Sequence, residues 1–528
     1  MCAWPRRTAT RPRPRPALAE TLAETGIERV VRRASKDRTS EDRAPDVSIA
    51  HTARSRQDRP GRVVGVLALA GMSAAFMQTL LIPIQGELPR LLDASREDTA
   101  WVITITLLVS AVFTPISGRL GDMFGKRRVA LVLMGMLVLG SLVAVFSATV
   151  VPLIVGRGLQ GLGMGVIPLG ISIVRDVVPV DRLGSSVALV SATLGVGAAL
   201  GLPVSAFVTE HFDWHVLFWV AAALGLVVLI LIAWLVPESR ARTGGRIDVI
   251  GVLGLAMGLS GVLLAISRGN EWGWFSLPTL GLLFGGTFVL LVWGWLELRI
   301  PAPLVDLRVN ARGPVLMTNL ASVAMGFALF TSQIAFPQLL VIPVDAGGTG
   351  VSLLQASLVL MPSGLVMLAM SPVAGRVERR WGAQPLLVVS SLVIALGYAV
   401  AMLAPVQIWS ILLVNLLIGV GIGLGFAAMP TLIMRSVPTS ATGAANGFNT
   451  LMRSLGTATA SAVIATVLAG SIAGSAEGHA GALYPTTGAF QLAFLLGLIA
   501  ALACAVLSAL IPRQMDPPRD VESLPGPA

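Results

Sequence analysis

Fourteen apolar runs separated by short polar breaks constrain this chain more than any single motif. They lie near 63–84, 100–117, 129–148, 150–173, 185–208, 214–236, 247–267, 277–297, 313–340, 353–374, 385–404, 407–432, 443–470 and 487–511. A helix of roughly 20 apolar residues crosses the hydrocarbon core of a bilayer. In lipid every backbone N–H and C=O must find its partner inside the protein, which leaves helices or closed barrels. The pattern predicts an all-α polytopic membrane protein with 14 transmembrane helices. Composition agrees: 55% of the 528 residues are hydrophobic, 12% are charged, and mean hydropathy is +0.80, far from the balance of a soluble domain.

The basic residues test the count, because Lys and Arg resist translocation and mark cytoplasmic loops. With fourteen spans, only Arg90, Arg96 and Arg268 fall in loops opposite the amino-terminal tail, and only Arg157 and Arg453 fall inside runs. A missed or surplus helix would destroy that asymmetry. Both termini are therefore expected in the cytoplasm, in a multi-pass protein of the cell (plasma) membrane. The net charge of +10 is spread by loop and not gathered on one face, so it argues topology and no nucleic-acid partner. Residues 1–61, rich in Arg and Pro, are expected to form a disordered basic tail. Residues 513–528 form a second cytoplasmic tail.

Enzymatic chemistry finds no footing. Cys2 and Cys504 are too far apart in sequence for a disulfide framework. The four histidines show no HExxH spacing and the chain has no Walker motif, so no metal site, no cofactor and no ATP-driven step is expected. His211 and His215 flank Asp213 between the fifth and sixth runs, where solvated or interfacial roles are commoner.

The chain also repeats itself. Thr114, Pro115, Ile116, Ser117, Gly118 and Arg119 recur as Ser371, Pro372, Val373, Ala374, Gly375 and Arg376, and Gly125 is matched by Gly382. Arg157, Gly161, Gly163 and Gly165 correspond to Asn415, Gly419, Gly421 and Gly423. The spacing is too long for six helices and fits six plus two. The expected organisation is a six-helix bundle over 62–237, an inserted pair with its linkers over 238–310, and a second bundle over 311–512. Two such halves rocking about a central site make an alternating-access transporter.

The break Gly118, Arg119, Leu120, Gly121, Asp122, Met123, Phe124, Gly125, Lys126, Arg127, Arg128 resembles the loop between helices 2 and 3 of the major facilitator superfamily. The fourteen-helix count is similar to its drug:proton antiporters of the multidrug efflux type. The resemblance implies the major facilitator fold and a conformational latch at Gly118, Asp122, Gly125, Lys126 and Arg127. A carboxylate such as Asp122 suits a helix amino terminus, and the start of the thirteenth run, around 440–443, is the expected partner. Asp176 is placed to pair with Lys126 or Arg127. Arg157, in the sequence Arg157, Gly158, Leu159, Gln160, Gly161, resembles a second signature, linked there to proton coupling. Arg453 matches an arginine that recurs in the fourteen-helix proteins. The guanidinium of Arg157 must face the bundle interior, water or an acceptor.

Gly161, Gly165, Gly197 and Gly201 are expected to let helices approach, and Pro203 to permit a bend. Two departures stand out. Leu202 separates Gly201 from Pro203 where exporters carry a glycine-proline pair, and Gln78 stands where many relatives place an aspartate. Gln78 cannot titrate, and no acid lies mid-span. Expected cavity residues are Gln78, Trp101, Gln160, Asn319 and Gln333, with Gln338 and Met164 beside them. The expected function is export of hydrophobic or amphipathic small molecules, drugs and antibiotics among them, with protons as the coupling ion, by a monomer in the lipid bilayer. The alternative is a transporter of the same fold moving one specific metabolite without proton-driven export.

Overall fold

The computed structural model describes residues 60–82, 84, 87–238, 248–300, 303–475 and 484–512, all within one compact unit, Pro60–Ala528. The amino-terminal tail up to residue 59, the carboxyl tail from 513, Cys2, His51 and His479 lie outside the described residues. Fourteen helices among those described are long and apolar enough to cross a membrane. They are α1 (Pro60–Thr79), α2 (Arg96–Phe124), α3 (Lys126–Val145), α4 (Val150–Val177), α5 (Val180–His211), α6 (Val216–Leu235), α7 (Val249–Trp272), α8 (Leu277–Glu297), α9 (Gly313–Val341), α10 (Leu353–Trp381), α11 (Ala383–Leu403), α12 (Ile408–Ser436), α13 (Thr442–Ser475) and α14 (Thr487–Ala509). No strand occurs among the described residues.

The sequence repeat is a repeat of packing. In the first half α1 lies on α5, and α3 on α4 and α6; in the second half α9 lies on α13, and α11 on α12 and α14. The glycines show it most closely. A Cβ on Gly161 would sit 2.8 Å from the Thr106 carbonyl oxygen of α2, and one on Gly419 would sit 2.9 Å from the Ser363 carbonyl oxygen of α10. Those carbonyls carry the same offset as the repeat (363 − 106 = 257). Side chains are excluded at both crossings because the backbones touch there. The two halves meet along α2 against α13 and along α5 against α10.

The fourth span is one span but two helical pieces, Val150–Gly163 and Val166–Val177, parted at Met164 and Gly165. Pro203 sits inside an unbroken α5. The largest difference from the sequence reading concerns the break at 118–128. It is no loop: α2 runs through Gly118, Asp122 and Phe124 and stops only at Gly125. There φ is +105°, and the matching Gly382 that ends α10 has φ +90°. Only glycine takes such a conformation without strain, so both junctions need it.

The inserted pair α7–α8 packs beside α2 and α13. Its outward surface carries Phe284, Phe288, Leu291 and Trp295, all exposed, as a lipid-facing helix requires. Arg268, expected in a loop, lies instead in the last turns of α7, 2% exposed. Its guanidinium lies 4.7 Å over the Trp101 ring of α2, bonds to Glu271, and donates to the Glu97 carbonyl at 3.4 Å. Two residues on, Asn270 donates to the Ala462 carbonyl of α13 at 3.4 Å and accepts from Thr466 at 2.6 Å. The pair is thereby tied to both halves at the end remote from Gly125.

Candidate functional site

Asp122 belongs to α2 in the first half, yet its carboxylate is satisfied by the second. It is 2% exposed, and it accepts from the backbone N–H of Gly443 at 3.3 Å and of Ala444 at 3.0 Å. Those are among the first N–H groups of α13, which have no partner inside their own helix. The helix macrodipole adds positive potential at the same point. One turn earlier, a Cβ on Gly118 would overlap the Gly443 carbonyl, so the close approach depends on that glycine. Around this contact, Lys126 is buried and binds Asp176 at 2.8 Å. Arg127 donates to the Ala233 carbonyl at the end of α6, and Arg175 reaches the Val437 carbonyl and Thr442 across the seam.

The opposite seam holds an acid as well. The residue at Asp122's repeat position is Arg379, but its neighbour Glu378 is 4% exposed. A Cβ on Gly184 of α5 would fall on the Glu378 carboxylate, just as Gly375 lies against Ser185. Arg435 donates to one Glu378 oxygen at 3.3 Å, and the other oxygen is buried with no hydrogen-bond partner. Arg435 is itself half exposed, so solvent screens that pair. A buried carboxylate with one oxygen unsatisfied opposes stability. Glu378→Gln is expected to raise the melting temperature by about 1–2 °C, measured by thermal unfolding of the purified protein. A lower melting point would show that the charge stabilises this seam.

Arg157 knots three helices. Its guanidinium donates to the Met77 carbonyl at 3.0 Å, to the Val102 carbonyl at 3.4 Å and to the Gln160 amide oxygen at 2.8 Å; Gln160 passes the chain on to Ser141 at 2.8 Å. Met77 is near the end of α1, where carbonyls lack helical donors and a cation is favoured. The membrane-depth arginine thus finishes a helix end, and it is 1% exposed.

Between the halves lies a cavity of about 330 Å³. Thr114, Met367 and Thr450 mark its deeper part, and Ile82, Pro337 and Leu353 carry it toward the helix ends remote from Gly125. Gln78 and Gln333 line it, as do Met164, Asn415 and Arg453. Four expected cavity residues, Gln338 among them, do not line it. Gln160 is fully buried and held by Arg157. Trp101 lies under Arg268. Asn319 is hydrogen-bonded to Asn310 at 3.1 Å and Asn449 at 3.0 Å. Gln160, Trp101 and Asn319 are thus engaged by other side chains, which a single sequence does not display. The glycines fall at helix crossings: Gly161 on α2, Gly165 on Ser117, Gly197 on Met72 and Gly201 on Thr79.

Residues 67–461 match the family profile of the Major Facilitator Superfamily. The chain belongs to the major facilitator superfamily. It is similar to the lincomycin resistance protein LmrB of Listeria monocytogenes, 24% identical over 408 residues, covering 76% of this chain and 85% of the relative. It is also similar to the multidrug resistance protein Stp of Mycobacterium tuberculosis, 23% identical over 73% of this chain and 72% of that one. The uncharacterized MFS-type transporter YhcA of Bacillus subtilis is 26% identical over 62% of this chain, and the match spans only 61% of YhcA. Among solved structures, the human organic anion transporter MFSD10 aligns with a TM-score of 0.59 at 16% identity, over 84% of this chain and 99% of that one. The proton:xylose symporter XylE aligns at 0.58 and 16%, over 86% and 96%. These last two show the fold.

As a major facilitator protein the chain is a multi-pass membrane transporter and not an enzyme. The histidines flagged near Asp213 have an ordinary account: His215 donates its backbone N–H to Asp213 at 2.8 Å, its ring meets the same carboxylate at 2.5 Å and the Ser147 carbonyl at 3.0 Å. The backbone bond from His215 holds the Asp213 carboxyl below the usual carboxylate range. Sequence reasoning missed two seam residues, Arg175 and the acid Glu378. The only signal for Glu378 was an acid one residue from the repeat position.

Proposed function

We propose that this major facilitator protein exports hydrophobic or amphipathic small molecules by alternating access, as a proton antiporter. The observation that carries the reading is one-sided closure. The helix ends around Gly125 are joined across the seam by Asp122 and by Arg175, while the cavity runs toward the other end. Placing the basic turn on the cytoplasmic side, as its Lys and Arg content favours, makes this the outward-facing state. Gly118, Asp122, Gly125, Lys126, Arg127 and Asp176 then act as the cytoplasmic latch. The likeness to lincomycin and multidrug resistance proteins supports drugs among the cargo, and aliphatic and methionine side chains give the cavity an adaptable surface.

Proton coupling needs a group that titrates. Among the described residues no carboxylate lines the cavity, so we assign the proton to the buried seam acids Asp122 and Glu378. When the seam opens Asp122 loses its two α13 donors, while Glu378 keeps Arg435 of its own half but loses the cover of α5 at Gly184, so both carboxylates gain access to water. The test is uptake of the fluorescent amphiphile phenylnaphthylamine into everted vesicles energised by a proton gradient. Accumulation that an uncoupler abolishes is the expected result. Saturable movement indifferent to the gradient would sink the antiport reading and favour a carrier of a single metabolite.

A further inference from the structure

The charge pattern of the cavity is lopsided. Of the described residues that line it, Arg453 alone is charged, and the rest are apolar, hydroxyl, amide or thioether side chains. Arg453 sits in α13, eleven residues past Thr442, so it lies about 16 Å from that helix end, near the bilayer midplane. Its guanidinium is 4.6 Å from the centroid of the Phe426 ring, and the side chain keeps partial exposure to the cavity. No ion pair is formed with it among the described residues. Arg157, the other intramembrane arginine, is different: its donors are spent on backbone carbonyls and Gln160, and it does not line the cavity.

A guanidinium held at membrane depth without a counter-charge is costly unless water or a ligand supplies one. Stacking on an aromatic ring offsets part of that cost and fixes the plane of the fork. The free edge then presents paired N–H donors to a planar or tetrahedral oxyanion. The same positive field repels a lipophilic cation, and no acid in the lining offsets it.

We propose that Arg453, braced by Phe426, is the headgroup site of the cavity, and that its cargo is a compact amphiphile bearing one anionic group such as a carboxylate or sulfonate. This rests on the transporter reading above and narrows its substrate class. The apolar body lies along Leu107, Ile422 and the methionine Met361, and Gln78 and Gln333 supply neutral hydrogen bonds.

The matched probes are anilinonaphthalene sulfonate and phenylnaphthylamine, which differ by the sulfonate alone. Both are titrated by fluorescence into the full-length protein in zwitterionic lipid nanodiscs, with empty nanodiscs subtracted. Arg453→Gln is expected to weaken the sulfonate probe roughly 10-fold or more, leaving the amine probe within about twofold, with Arg453→Lys in between. Equal weakening of both probes would make Arg453 a packing residue, and no saturable binding of the sulfonate to the unaltered protein would overturn the proposal. A second measurement needs no variant: naphthalene sulfonate should displace phenylnaphthylamine at lower concentration than trimethylnaphthylammonium does. Equal or greater potency of the cation overturns the proposal. Binding is read without a gradient, so failure of gradient-driven uptake removes the export reading while these ratios still decide the charge preference.

Discussion

Asp122→Asn should open the seam around Gly125. The carboxylate accepts two backbone N–H bonds at the start of α13, and hydrogen bonds to a charged group contribute about 1.5–3 kcal/mol each. An amide keeps one acceptor and turns an NH2 toward donors, so the loss to the closed state is about 2–4 kcal/mol. That moves a two-state equilibrium by roughly 30- to 700-fold. Pulsed-EPR distances between labels at Phe124 and Ser440, both exposed and on opposite sides of the seam, read the population directly. A second, longer distance should appear in the variant, with gradient-driven uptake in everted vesicles falling at least about tenfold. An unchanged distance distribution together with unchanged uptake would remove Asp122 from the machinery.

Arg157→Met should be the more damaging change to the fold. It leaves Met77 and Val102 carbonyls and the Gln160 amide short of a donor at once. Breaking a buried charged network by removing one member costs about 3–5 kcal/mol, which lowers Tm by roughly 3–5 °C in a chain this size. Arg157→Lys keeps the charge but offers a point where a fork is needed, so its Tm should fall between the two. If Arg157→Met melts with the unaltered protein and transports equally at equal expression, the knot described above carries no weight.

The fourteen helices were legible because hydropathy is a local signal, and the fate of Lys and Arg supplied a check independent of it. The architecture of two halves was legible for a similar reason, since paired motifs survive in the chain at a fixed offset. What escaped the sequence was long-range. A hydropathy window ends the second run at Ser117, because Arg119 and Asp122 look solvated; in the structure the helix continues, since the neutralising N–H groups come from Gly443 and Ala444. Glu378 was passed over because a repeat was read residue for residue, whereas a helix can bring a neighbouring position to the same seam once the backbone shifts slightly. Gln160 had a readable clue: it lies three residues after Arg157, the spacing of helical side-chain pairs. Trp101 had none, because its partner Arg268 comes from the inserted pair.

In the alternating-access cycle proposed above, the inserted pair would limit the stroke. Near Arg268 and Asn270, α7 grips α2 on one side and α13 on the other, and Leu263 and Ser267 of the same helix form part of the cavity wall. Any rotation that brings α2 and α13 together at that end meets α7 as a doorstop. To complete such a turn, α7 would have to travel with one half and release its contacts to the other.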